Sequence, residues 1–93
     1  MWIVEFTPKA RRQARRLPQK IQDVLALLVT DLRIAGAVCP QWPHFGKLRG
    51  RSGEFHCHLN KGKPRYVAVW GEVEGEIQLI EVRYVGTHEK APY

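Results

Sequence analysis

The chain has 93 residues, 44% of them hydrophobic, 26% charged and 10% aromatic, with a formal net charge of +6. This length carries one domain, residues 1–93, with a single modest core. The apolar content is too high for a disordered chain, the apolar runs are too short to span a bilayer, and residues 1–6 lack the pattern of a signal peptide.

The cytoplasm is therefore the expected location, and both Cys39 and Cys57 are expected as reduced thiols. The excess of positive charge points to a polyanionic partner, namely nucleic acid, an anionic surface or an acidic protein. Solubility alone also accounts for it.

Residues 2–6 are rich in β-formers and predict a short strand. Thr7 followed by Pro8 is a helix start, a threonine cap with proline at the first helical position. The helix is expected over 8–16, with Ala10, Ala14 and Leu17 on one face and Arg11, Arg12, Arg15 and Arg16 away from it. Pro18 breaks it. Ile21, Val24, Leu25, Leu28, Leu32 and Ala35 then recur at three/four spacing and predict a second helix over 19–35, stopped by Gly36.

Residues 37–53 read as a long loop, a kind of segment that is often functional. Within it lie Trp42, His44, Phe45, Lys47, Arg49 and Arg51. Trp42 suits a partner contact or a plug at the core edge, whereas Trp2, Tyr66 and Trp70 suit sheet packing. Three strands follow, over 54–59, 65–73 and 77–85, joined by turns at 60–64 and at Glu74-Gly75. Gly71, inside the apolar middle strand, predicts a bulge or a close backbone approach. The fold class is α+β: an N-terminal strand, a helical hairpin, then three antiparallel strands in a small sheet packed on two helices. The sheet's second face is expected to stay partly open.

In the first of those three strands Phe55, Cys57 and Leu59 alternate with His56 and His58. Packing the apolar set on the helices aims both imidazoles at the other face. Arg65 begins the next strand, and His88, Lys90 and Tyr93 follow the last one. Imidazole exchanges protons near neutrality, and the cations suit phosphate. A metal held by His56, His58 and His88 is the weaker reading, because no carboxylate or cysteine partner has suitable spacing.

Several stretches carry a resemblance to a known family. They are Lys47-Leu48-Arg49-Gly50 before the sheet, Phe55-His56-Cys57-His58-Leu59, Arg65 at the head of the next strand, Val85-Gly86 closing the last, and then His88, Lys90 and Tyr93. In this order and spacing they resemble the RelE/HigB-like toxins of the RelE/ParE superfamily, ribosome-dependent mRNA endonucleases of toxin–antitoxin modules. Histidine replaces lysine at His56 and His58, and often arginine at His88, which keeps the basic character and alters the proton chemistry.

The resemblance implies a RelE-like fold and cleavage of mRNA in the ribosomal A site. The 2′-OH attacks the adjacent phosphate, with no metal and no other cofactor. His56 or His58 would be the base, Arg65 with Lys90 would hold the phosphate, His88 would be the acid, and Tyr93 would stack on or orient a nucleotide. Arg11, Arg12, Arg15, Arg16, Lys47, Arg49 and Arg51, with Lys61 and Lys63, would bind nucleic acid, including 16S rRNA. The implied partners are mRNA on the ribosome and a cognate antitoxin, with no membrane. The alternative is a non-catalytic toxin of the ParE type acting on DNA gyrase, or an inactive relative.

Overall fold

The computed structural model describes residues 1–50 and 53–93. Thr7 Oγ1 accepts the Ala10 N–H at 3.0 Å and opens α1 (Pro8–Arg15). Pro8 costs nothing there, since the first amides of a helix have no partner within it. The second helix, α2 (Gln19–Ala35), buries Ile21, Leu25, Leu28 and Leu32 as one stripe. Ala35, expected in that stripe, is exposed at the last turn. Gly36 ends the helix at φ +89°, and a side chain there would meet the Trp2 ring at 3.0 Å. Among the described residues no helix is long and apolar enough to cross a membrane.

The sheet contains β1 (Ile3–Phe6), β2 (Gly46–Lys47), β3 (Glu54–His58), β4 (Tyr66–Glu72) and β5 (Leu79–Thr87), in the order β1-β5-β4-β3-β2. β1 runs parallel to β5 and the other pairs are antiparallel. The helices cover one face. Phe55, Cys57, Leu59, Ala68, Trp70, Ile80, Val82 and Val85 form the core with Ala10, Leu17 and the α2 stripe. Burying each large apolar side chain contributes about 1.5–3 kcal/mol. Trp70 is fully buried, and its indole N–H donates to the Ala37 carbonyl at 2.9 Å. Burial pushes the Cys57 thiol up to about 12, so it packs as an unreactive hydrophobe.

Three expectations are corrected. Residues 37–53 are not all loop, because Gly46 and Lys47 pair with His56 and Phe55 as β2. The last strand begins at Leu79 and runs to Thr87 instead of covering 77–85. Ile77 lies in the preceding turn and is 89% exposed, a β-former overridden by its neighbours. The second face of the sheet is also less open than expected, for Leu48, Val67, Val69 and Tyr84 form a small buried cluster there, with Ala91 packed on it.

A bulge creates that cluster. Val69 pairs with Tyr84 and Trp70 with Val82, which leaves Arg83 as an extra residue in β5. One inserted residue reverses the alternation beyond it. Val82 and Val85 therefore both join the helix-side core while Tyr84 packs on the other side.

Gly71 lies beside this bulge, paired with Glu54 on one flank and Glu81 on the other. The Arg83 guanidinium bonds to both carboxylates, Nη1 to Glu54 at 2.5 Å and Nε to Glu81 at 3.0 Å. A Cβ on Gly71 would sit 2.5 Å from Arg83 Nη1 and 2.9 Å from the Gly53 carbonyl oxygen. Close approach and a neighbouring bulge thus coincide at this glycine.

Trp42 plugs the core edge. Its ring packs against the core, and its indole N–H donates to Asp31 Oδ2 at 2.8 Å. Trp42→Phe should lower stability by about 1.5–3 kcal/mol, the range for a hydrogen bond to a charged group. Urea unfolding checks this, and an unchanged midpoint would show that the bond contributes nothing.

Candidate active site

β3 ends at His58, and the chain then turns tightly to β4. Asn60 holds that turn from within: Oδ1 accepts the Tyr66 N–H at 2.8 Å and Nδ2 donates to the Pro64 carbonyl at 3.1 Å. The Lys63-Pro64 peptide is cis. Arg65, exposed at the exit of the turn, donates through Nη2 to the Lys61 carbonyl at 3.2 Å. The His88 N–H donates to the Arg65 carbonyl at 2.7 Å, which fastens the 3-10 turn after β5 (His88–Lys90) to the start of β4. Arg65 and His88 consequently border one cleft of about 330 Å³, together with Lys63, Pro64, Thr87 and Glu89.

The loop before β2 reaches the same place. The His58 N–H donates to the Pro43 carbonyl at 2.8 Å. The next residue, His44, has φ +56° and stacks on His58 with ring centroids 4.1 Å apart. The contacts continue edge-on from His58 to His88 at 5.5 Å and from His88 to Tyr93 at 6.0 Å. Tyr93 in turn lies 4.7 Å from His56. All four histidines of the chain stand in this one series of rings.

Crowding sets their protonation. Burial first, then His44, His88, Arg65 and His56, lowers the His58 imidazole to about 4. His56 is lowered in the same direction by burial, then by His88 and His44. Both are neutral at pH 7. Burial, with Cys57 and Tyr84, raises the Tyr93 phenol, which keeps its proton. His56 Nδ1 is buried with no hydrogen-bond partner among the described residues. The site therefore offers neutral imidazoles able to accept a proton, a phenol able to donate one, and a guanidinium beside them.

A measurable pH dependence follows. Between the ordinary value of 6.5 and about 4 the unfolded chain binds a proton at residue 58 that the folded chain refuses. Stability should fall as pH drops through that window, and His58→Gln should flatten the fall. Thermal midpoints across the window check it. Equal slopes for parent and variant would show that His58 titrates normally.

The other candidate residues do not all converge here. Lys90 borders a different groove, with Lys9 and Arg16. Arg11 and Arg15 border a third, between the helices, so the α1 arginines do not share one surface. Arg12, Lys47, Arg49, Lys61 and Lys63 are exposed. Arg51 lies outside the described residues. His44 joins the site from the loop before β2, and its signal in the sequence is that the other three histidines already group together. Among the described residues no three His, Cys, Asp or Glu side chains converge to hold a metal ion.

Solved structures share this architecture. The isolated RelE toxin of E. coli matches with a TM-score of 0.72, over 99% of this chain and 89% of that one, at 17% identity. A chain of the archaeal RelE–RelB complex from Pyrococcus horikoshii matches at 0.73, over 97% and 98%, at 12% identity. The YoeB dimer from Staphylococcus aureus matches at 0.73, over 94% and 97%, at 15% identity. The chain has the RelE-like toxin fold. No family model matches the sequence, and no curated protein matches it. Within the RelE-like fold, the histidine series is placed by β3, the β3–β4 turn, the turn after β5 and the loop before β2.

Proposed function

We propose that this chain is an endoribonuclease toxin that cleaves mRNA in the ribosomal A site and so blocks translation. The observation that carries the proposal is the histidine series beside the Arg65 cleft. Transfer within RNA needs a base at the 2′-OH, a cation over the phosphate and an acid at the departing 5′-oxygen. His58 takes the 2′-OH proton, because it is neutral at pH 7, stands edge-on to the His88 ring and feels the charge of Arg65. The singly charged phosphodiester raises its basicity by placing negative charge beside it, which offsets the neighbouring positive charge.

The 2′-oxygen then bonds to phosphorus and the P–O5′ bond breaks. Arg65 holds the non-bridging oxygens, and His88 delivers its proton to O5′. The products are a 2′,3′-cyclic phosphate and a 5′-OH. Tyr93, 46% exposed beside His56, presents an aromatic face for a base to stack on. The exposed arginines of α1 suit ribosomal RNA, an attraction that weakens with salt.

The neighbours include the intact E. coli RelBE toxin–antitoxin complex and the S. aureus YoeB–YefM complex. By the same likeness this chain pairs with an antitoxin, one acidic enough to meet its net charge of +6.

The test is a defined mRNA incubated with the protein, with and without programmed ribosomes, and both ends of the fragments mapped. Cuts in the A-site codon that need ribosomes and leave a cyclic or 3′-phosphate support the proposal. Intact mRNA in the presence of ribosomes overturns it.

A further inference from the structure

Lys90 does not join Arg65, and the groove it borders has a chemistry of its own. That groove, about 430 Å³, runs between α1 and the end of β5, with Lys9, Arg16 and Lys90 around it and Tyr66 in its wall. No Asp or Glu lines it, and none of the three cations forms an ion pair among the described residues. Three like charges facing one concavity repel one another, and an anion relieves that repulsion. Gln13 adds a donor. Its Oε1 accepts the Val85 N–H at 3.2 Å, and its Nε2 donates to nothing among the described residues. Tyr66 is half-buried, so its ring is held in place.

The groove also adjoins the cleft of Arg65 and His88, because Thr87 lines both. A chain leaving the cleft around the end of β5 needs to pass only that residue to reach it. We infer that this groove is a second RNA subsite, which holds the nucleotide next to the cleaved linkage. Lys9, Arg16 and Lys90 take its phosphate, Gln13 Nε2 donates to an oxygen of the sugar or phosphate, and Tyr66 supports the base. This deepens the ribonuclease proposal, since it assigns the substrate strand a path, and it removes Lys90 from the cleaved phosphate. The same phosphate chemistry is also present in ribosomal RNA, and the experiment separates the two sources.

The probe is non-cleavable 2′-O-methyl RNA, as a dinucleotide and as a hexanucleotide, titrated by fluorescence anisotropy over a salt series. Lys9→Gln/Arg16→Gln is compared with the parent and with Lys20→Gln/Arg33→Gln, which removes two positive charges elsewhere. In the parent the hexanucleotide should bind more tightly than the dinucleotide. The groove variant should lose about tenfold for the hexanucleotide and little for the dinucleotide, with the log–log salt slope smaller by about 0.7 for each lost contact. The control should keep the length dependence.

Equal weakening of both RNAs, or an unchanged hexanucleotide, overturns the inference. The same variants are also sedimented with ribosomes, and a groove variant that keeps the parental hexanucleotide affinity but loses ribosome binding overturns the inference and assigns the groove to ribosomal RNA. A protein that binds these RNAs by length yet leaves mRNA intact in the programmed-ribosome assay would sink the ribonuclease proposal and leave the subsite standing.

Discussion

His88→Ala is expected to lower the proposed RNA cleavage by about 10²–10⁴-fold, the range contributed by a positioned general acid, and to leave RNA affinity and folding close to those of the parent. The side chain is exposed and outside the buried core, so the fold does not depend on it. Single-turnover cleavage on programmed ribosomes, with binding measured separately, gives the split between rate and affinity. His58→Ala behaves differently. At 8% exposure under the His44 ring, its loss reduces stability as well as rate. A His88→Ala protein that cuts at the parental rate would place the acid elsewhere, with Tyr93 the next candidate because its phenol retains its proton.

Gly71→Ala is expected to have the largest structural effect of any single methyl group added to the sheet. The new carbon would stand 2.5 Å from Arg83 Nη1 and 2.9 Å from the Gly53 carbonyl oxygen. The arginine can swing aside only by giving up Glu54, and the backbone oxygen must move with its strand. Overpacking of this kind costs about 1–3 kcal/mol, which lowers the melting temperature of a domain this size by about 4–8 °C per kcal/mol. A double-mutant cycle with Arg83→Ala separates the two contacts. The pair should be less destabilised than the sum of the single variants, because the guanidinium clash is gone and only the Gly53 clash remains. Gly71→Ala as stable as the parent would show that Arg83 does not lie across this strand.

The helices were legible because local signals determine them: Thr7 and Pro8 at one start, Gly36 at one end, and a buried stripe at three/four spacing. The placement of His56 and His58 on the face away from Phe55 and Cys57 was legible for a similar reason, since a strand alternates. The path of β5 was not. The bulge at Arg83 inserts one residue, and nothing in a run of apolar residues marks where the alternation resets. β2 is two residues long, too short to show any period.

Tertiary pairing hid the remainder. His44 enters the site because a backbone bond joins Pro43 to His58, two residues far apart in sequence. Lys90 leaves it because His88–Lys90 is a 3-10 turn. With three residues per turn, side chains two apart point in different directions, so His88 faces the cleft and Lys90 the α1 groove.

The sheet order has a consequence for how the molecule comes into being. β5 follows every other strand in the chain yet lies second in the sheet, between β1 and β4. Until residues 79–87 are available, β1 has no strand to pair with and the core lacks Ile80, Val82 and Val85. Closing so long a loop costs entropy before the pairing rewards it, so folding is slow for the chain's size and close to all-or-none. On a translating ribosome the strand that completes the scaffold emerges just ahead of His88 and Tyr93. The stretch of chain that closes the sheet is thus also the stretch that delivers two members of the ring series, so scaffold and site are completed together.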